Sequence, residues 1–166
     1  MSGYLLIIAD REPLGWILSE RRTAFPHKRA TEARSLRPGD SLFLYTTRGC
    51  YRNPGRDRGR IIAEAHVATT VAELDEPVRF GDHEYPVGCD LSIEKITPFG
   101  SGPELAHLVG DLQTFAPMGG AWSIKLRRAL TPLTDSDCQT IRQHLAPLTE
   151  PVDGVIQPYL RWWSKR

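Results

Sequence analysis

Five arginines stand within residues 48–60, where glycine, asparagine and proline separate them in the segment RGCYRNPGRDRGR. A guanidinium group offers planar, paired donors that suit phosphate oxygens and the edge of guanine. Glycine lets the backbone come close to a ligand. The segment is longer than the roughly two to five residues of a common hairpin loop, which is typical of a functional loop. It therefore predicts the binding of a phosphate polyanion. The arginines are Arg48, Arg52, Arg56, Arg58 and Arg60.

The distribution of charge along the chain supports a polyanionic partner. The 166 residues carry 21 basic and 20 acidic side chains, a net charge of +1. Residues 21–60 hold 11 lysines and arginines against three acids, whereas residues 61–121 hold two against ten. Such asymmetry points to nucleic acid. The alternative is a solvated surface whose two halves pair with each other in the fold.

Aromatic residues near these basic or glycine-rich stretches are the second feature. A base flipped out of a helix is held by stacking on aromatic rings and by hydrogen bonds to its polar edge. Packing in the hydrophobic core is the ordinary alternative for any of these rings. The candidates are Trp16, Phe25, Tyr45, Tyr51, Phe115 and Trp122.

Catalytic, cofactor and metal motifs are not recognisable in the sequence. No phosphate-binding glycine motif, GxSxG or HExxH occurs, so no cofactor is predicted. Cys50, Cys89 and Cys138 are far apart and lack histidines at ligand spacing, so neither zinc nor a disulfide framework is indicated. An enzyme is therefore not predicted, although catalytic groups can converge from distant positions.

The elements that must position these residues follow from the pattern of apolar residues. Asp10 and Thr134 are predicted to cap helices over 11–21 and 135–145. Residues 22–40 and 74–84 are rich in turn-forming or acidic residues and are predicted to be loops. The helices do not alternate strictly with strands, so the prediction is an α+β fold with five or six strands in a curved, mixed or antiparallel sheet. Strands are predicted over 3–9, 41–46, 61–71, 87–96 and 122–126.

Apolar runs in the sequence are short. None approaches the roughly 18 residues of a membrane span, and the first one, residues 4–9, is too short for a signal peptide. A cytoplasmic protein without membrane contact is expected.

The order of these segments resembles the EVE domain family, a branch of the PUA-like fold. The resemblance rests on YLLIIA at residues 4–9, RSLRPGDSLFLYTT at 34–47, GRIIAEAHV at 59–67, Pro98-Phe99, and GGAWSIKLRRALTPLTDSDCQTI at 119–141. It implies a small curved β-barrel flanked by short helices over residues 1–146, with a tail over 147–166 that packs on it. Relatives of this kind bind RNA or read modified bases, including 5-methylcytosine in DNA.

The leading prediction is thus a module that flips a modified base, most simply 5-methylcytosine in double-stranded DNA, into an aromatic pocket. An RNA-binding PUA-like module is the alternative. An enzyme using His27 or His66 and a protein-binding module using the acidic residues 73–111 are also considered. The predicted base pocket comprises Trp16, Tyr45, Thr46, Tyr51 and Trp122. The predicted nucleic-acid-binding residues are Arg21, Arg22, Lys28, Arg29, Arg48, Arg52, Arg56, Arg58 and Arg60.

Overall fold

The computed structural model describes residues 1–53 and 55–164. Nine strands occur in this part of the chain: β1 (Gly3–Ile8), β2 (Arg22–Phe25), β3 (Ser41–Thr46), β4 (Arg60–Val67), β5 (Ala72–Phe80), β6 (His83–Ser92), β7 (Lys95–Ile96), β8 (Leu130–Leu133) and β9 (Glu150–Pro151). The α-helices are α1 (Arg11–Glu20), α2 (Ala30–Ala33), α3 (Leu105–Leu108), α4 (Asp135–Leu145), α5 (Val152–Val155) and α6 (Gln157–Ser164). Four 3₁₀ segments cover His27–Arg29, Val109–Asp111, Ala116–Leu126 and Ala146–Leu148.

The main sheet is mixed and curls into a half-barrel. Six strands follow the order β2-β6-β4-β3-β1-β8, and β5 pairs with β6 beside this path. β1 and β3 are parallel, whereas the other pairs in this sheet are antiparallel. The short β7 and β9 form a separate two-stranded sheet. The predicted α+β fold with a curved sheet and short helices is confirmed.

The two faces of the sheet bury different cores, because alternate residues of a strand point to opposite faces. Leu6 and Ile8 join the core that includes helix α1 and the C-terminal helix α6. Leu5 joins the core on the other side, together with Phe43 and Ile141 of helix α4. Both helix caps are as predicted: Asp10 accepts from the Arg11 backbone N–H at 2.7 Å, and Thr134 accepts from that of Asp137 at 3.1 Å.

Two predicted loops contain strands. Residues 74–84 belong to the β5–β6 hairpin, which turns at Gly81 with φ 61°. Its outer strand β5 is largely exposed and acidic, so it lacks the apolar alternation by which strands are recognised. Strand β2 buries Thr23 and Phe25, but four residues in a basic stretch are too few to show the pattern.

The strand predicted over 122–126 is instead part of the 3₁₀ segment, which is kinked at Gly119. Within it, Trp122 packs edge-to-face on Phe115 at 6.1 Å between ring centroids. The strand that completes the sheet begins at Leu130, where its backbone pairs with β1. The apolar residues within 122–126 have β propensity, yet they lie in a 3₁₀ segment. Trp122 and Leu126 there pack against the core that α3 and α4 help to form.

Candidate nucleic-acid interface

The parallel pairing of β1 and β3 brings the carboxyl ends of both strands to one edge of the sheet. Ile8 lies opposite Thr46, and the Thr47 backbone N–H donates to the Ile8 carbonyl at 3.1 Å. Helix α1, which Asp10 caps, and the loop that follows β3 therefore begin next to each other. We call residues 47–59 the arginine loop.

A cleft of about 420 Å³ opens at this edge, between the end of β1, strand β2 and the segment that precedes β8. Four cationic side chains and one carboxylate, Asp10, line it together with apolar residues. We call it the cationic cleft. Its lining includes Ile8, Asp10, Pro13, Ile17, Phe25, Pro26, Lys28, Arg29, Tyr85, Arg127 and Arg128.

The floor of the cationic cleft is apolar. Ile8, Ile17 and Phe25 are buried in the core, and the ring of Tyr85 is half-buried beside them. Burial raises the pKa of the Tyr85 phenol, so the phenol is neutral at physiological pH. An apolar, partly aromatic floor with few polar groups is the usual construction of a small-molecule or base pocket.

The cationic rim is held in place by Glu32 of helix α2. Its carboxylate lies 3.6 Å from Arg29 and 3.5 Å from Arg128 and accepts a hydrogen bond from the backbone N–H of Leu130. Arg29 also donates to the carbonyl of Arg127 at 3.0 Å. One carboxylate thus orients arginines from two distant segments toward the same cleft.

The arginine loop begins with a tight turn. The Cys50 backbone N–H donates to the Thr47 carbonyl at 3.1 Å, and Cys50 itself is fully buried. Arg52 adopts a left-handed conformation with φ 62° and reaches Asp10 at 3.5 Å, which connects the loop with the cationic cleft. Farther on, Arg58 pairs with Glu104 at 3.7 Å.

A second cleft, of about 610 Å³, lies on the other side of the loop. Three arginines and three aromatic rings line it against a single carboxylate, and we call it the aromatic cleft. Its lining comprises Tyr51, Asn53, Arg56, Asp57, Arg58, Arg60, Phe99, Gly100 and Trp162.

The predicted base-pocket residues are not brought together in one cavity. Trp16 lies in a third cleft, whose lining also includes Glu12, Asp75, Glu76 and Phe80. We call this the acidic cleft. Arg22 stacks over Trp16 at 5.4 Å and pairs with Asp90 at 3.7 Å, so it too lies away from the cationic cleft.

The other predicted pocket residues surround the arginine loop. Tyr45 and Trp122 share a cleft of about 460 Å³ with Arg48 and Arg58. Tyr45 is nearly fully buried, and this burial raises the pKa of its phenol to about 12. Thr46 is fully buried and donates to the carbonyl of Arg60 at 3.3 Å, so its side chain holds β3 to β4.

The predicted nucleic-acid-binding residues also differ in position. Lys28 and Arg29 lie in the cationic cleft. Arg21 ends helix α1 with φ 55° and donates to the carbonyls of Leu18 and Ile93, which makes it a structural residue. Arg60 is likewise bound to the carbonyl of Gly102 at 2.6 Å.

Sequence reasoning missed several residues of the two clefts. Arg127 and Arg128 were not among the predicted nucleic-acid-binding residues, although they are adjacent cations in the sequence. Tyr85 was assigned to no site because it falls between the loop predicted over 74–84 and the strand predicted over 87–96. Phe99 and Trp162 come to the arginine loop from distant parts of the chain, which no local pattern indicates.

Among the described residues, no group of three potential metal ligands comes together. His66 lies 3.5 Å from Glu64, but this pair is at the opposite end of the strands from the cationic cleft. Burial raises the pKa of the Cys50 and Cys89 thiols, which makes both poor nucleophiles.

No helix of the described residues is long and apolar enough to cross a membrane.

No protein-family model and no curated protein matches the sequence. The fold, however, is similar to that of several solved structures. The human THYN1 protein, solved in complex with DNA containing 5-methylcytosine, has a TM-score of 0.56 at 14% identity over 86% of this chain and 96% of its own. A protein from Pseudomonas putida has a TM-score of 0.57 at 15% identity over 85% and 97%.

The Mmi1 YTH domain, solved in complex with RNA, has a TM-score of 0.56 at 8% identity over 86% of this chain and 78% of its own. The chain therefore shares the fold of the THYN1 protein and of the YTH domain, which agrees with the fold that its sequence resemblance implied.

Proposed function

We propose that this protein binds nucleic acid and reads a modified base, with 5-methylcytosine in double-stranded DNA as the leading ligand. The observation that carries this proposal is the cationic cleft, which combines an apolar, partly aromatic floor with four cations on its rim. The fold supports it, because one structural neighbour was solved with DNA containing 5-methylcytosine.

In this proposal the flipped base enters the cationic cleft and stacks against the half-buried ring of Tyr85, above the apolar floor to which Phe25 contributes. Lys28, Arg29 and the two arginines before β8 bind the phosphates on either side of the extruded nucleotide. The base site is thus assigned to this cleft instead of to the five predicted pocket residues, which lie in different places.

The arginine loop extends the phosphate-binding surface. Arg52 reaches Asp10 at the border of the cationic cleft, and Arg48 and Arg58 line the neighbouring cleft beside Trp122. Contacts between cations and phosphates position the strand without reading its sequence. Selectivity for the modification then comes from the floor of the cationic cleft.

Burial of one methyl group contributes about 0.8 kcal/mol, or roughly four-fold in affinity. We therefore expect modest discrimination between methylated and unmethylated DNA. Fluorescence anisotropy with matched duplexes, with and without a central 5-methylcytosine, tests it. Tyr85→Ala should abolish the preference while having a smaller effect on binding to unmethylated DNA. Leu148→Ala, which changes an exposed apolar residue that lines none of the clefts, should retain the preference. Equal binding of both duplexes by the native protein would contradict the assignment to 5-methylcytosine.

RNA is the second candidate, favoured by the YTH domain that was solved with RNA on the same fold. Competition of the labelled methylated duplex by RNA of the same sequence distinguishes the two ligands. Absence of binding to either nucleic acid would overturn the proposed function as a whole.

A further inference from the structure

The aromatic cleft holds an exposed aromatic side chain that the base-reading site does not use. Phe99 retains 37% of its surface exposed, and it is the one aromatic residue among the exposed large apolar residues of the described chain. It contacts three other rings: Tyr51 at 5.2 Å, Tyr159 at 5.1 Å and Trp162 at 6.1 Å between centroids. Even with these three contacts, more than a third of the Phe99 surface remains open to solvent.

Phe99 is held rigidly at the tip of a tight turn. The Ser101 backbone N–H and hydroxyl both donate to the Pro98 carbonyl, at 3.0 and 2.8 Å. The Thr97 hydroxyl donates to the Ser101 carbonyl at 3.0 Å, and the Tyr159 hydroxyl donates to the Thr97 carbonyl at 2.8 Å. A ring fixed in this way loses little conformational entropy when a ligand stacks on it.

The cations around this ring are available to an anion. The side chain of Arg56 is exposed and forms no ion pair within residues 1–53 and 55–164. Arg58 is also exposed, and its pair with Glu104 is long, at 3.7 Å. Exposed aromatic rings beside guanidinium groups form the usual platform for unpaired nucleotides, in which bases stack and phosphates bind arginine.

The aromatic cleft and the cationic cleft are connected through the ion pair of Asp10 and Arg52. Asp10 lines the cationic cleft and lies 3.5 Å from Arg52, whose chain neighbours Tyr51 and Asn53 line the aromatic cleft. The next residue, Arg11, places its guanidinium over the ring of Trp162 at 5.4 Å. A strand bound in one cleft would meet Arg52 and Arg11 on its way to the other.

We infer that the aromatic cleft is a second nucleotide subsite, which stacks an unpaired base of the same strand that places its modified base in the cationic cleft. This inference rests on the proposed function, and it adds a requirement: the strand is unpaired on one side of the modified base. Both DNA and RNA can meet this requirement, so both are included in the test.

The test uses single-stranded oligonucleotides, in DNA and RNA series, that carry one modified base and a 2-aminopurine at each of the three positions on either side in turn. Stacking should quench the 2-aminopurine at one position on one side when the native protein binds. Phe99→Ala should remove that quenching and weaken binding roughly five-fold or more, while the preference for the modified base is retained. Leu148→Ala, which changes an exposed apolar residue outside all the clefts, is the matched control and should behave as the native protein.

An abasic nucleotide at the quenched position supplies the second measurement. It should weaken binding to the native protein and have no further effect on binding to the Phe99→Ala variant, because base and ring act as one pair. If the modified base is preferred but no flanking position is quenched, the second subsite is wrong and the proposed function stands. If the single-stranded oligonucleotides do not bind but the methylated duplex does, the second subsite is wrong and the proposed function stands. If neither the single strands nor the duplex bind, both are wrong.

Discussion

The Glu32 carboxylate accepts a hydrogen bond from the backbone N–H of Leu130 at 3.0 Å, across 98 positions of sequence. The same carboxylate pairs with Arg29 and Arg128. It therefore joins helix α2 to the strand β8 that completes the sheet, and it fixes two of the four cations around the cationic cleft.

Substitutions at Glu32 should separate these two roles. Glu32→Gln keeps an oxygen that can accept from Leu130, so we expect little loss of stability. It loses the charge that holds Arg29 and Arg128 in position, so we expect weaker nucleic-acid binding. Glu32→Ala also leaves the Leu130 N–H unpaired, which costs about 1–3 kcal/mol. Urea unfolding and anisotropy measure the two effects, and Glu20→Gln on the exposed end of α1 is the control. Equal stability of the Gln and Ala variants would contradict the structural role.

Salt dependence should identify the arginines that contact phosphate. Removal of Arg127 or Lys28 should weaken binding to all sequences alike and lower the slope of log affinity against log salt by about 1 each. Arg79→Ala on the β5–β6 hairpin, where Arg79 pairs with Glu84, should leave the slope unchanged. The cationic cleft is not a nucleic-acid site if Arg79→Ala and the cleft variants change the slope equally.

Gly88 should be sensitive to a single added methyl group. It lies opposite Ala24, and a Cβ at this position would collide with the backbone carbonyl of Thr23. Gly88→Ala must therefore push β2 away from β6, and with it Phe25 on the cleft floor. We expect a loss of about 1–3 kcal/mol of stability together with weaker binding of the modified base. Gly110→Ala, where a Cβ meets open space, should change stability by less than about 0.5 kcal/mol.

Acid should weaken the connection between helix α4 and the sheet. Burial by itself would raise the pKa of Glu64, but hydrogen bonds from Arg142 and Ser41 outweigh it and hold this pKa below its ordinary value of 4.5. Since the folded-state pKa is the lower one, the ion pair contributes its full stability above pH 4.5. That contribution is lost as the pH falls through the lowered pKa.

The stability difference between the native protein and Glu64→Gln tests this expectation. In urea unfolding it should be constant near neutrality, at about 1–2 kcal/mol, and should shrink below pH 4.5. Glu73→Gln, at an exposed position of β5, should show no such pH dependence. A difference that stays constant down to pH 3 would show that the charge of Glu64 contributes nothing.

The sequence predicted the fold where apolar residues and caps agree. Strands β1 and β3 and helices α1 and α4 match the prediction because their alternation or capping residue is strong and local. β5 was missed because an acidic, exposed edge strand carries no apolar period. The 3₁₀ segment was misread because a run such as Trp122 to Leu126 suits either state, and tertiary packing decides between them.

The site was less predictable than the fold. The arginine loop is visible in the sequence because its cations lie close together in the chain. The cationic cleft is not, since Glu32 and Leu130 or Phe25 and Arg128 meet only after the sheet has formed. Aromatic residues such as Trp16 and Tyr45 were grouped by their sequence neighbours, which do not determine the cleft that a ring will line.

The parallel contact between β1 and β3 has a consequence for how such a protein can diversify. It sets the floor of the cationic cleft and the start of the arginine loop side by side, yet the described residues of the loop beyond Cys50 add no strand to the sheet. Under the proposed function, insertions and deletions there would change the affinity for the nucleic-acid strand, while the choice of base would stay with the cleft floor. Affinity and selectivity are thereby left free to evolve as separate traits.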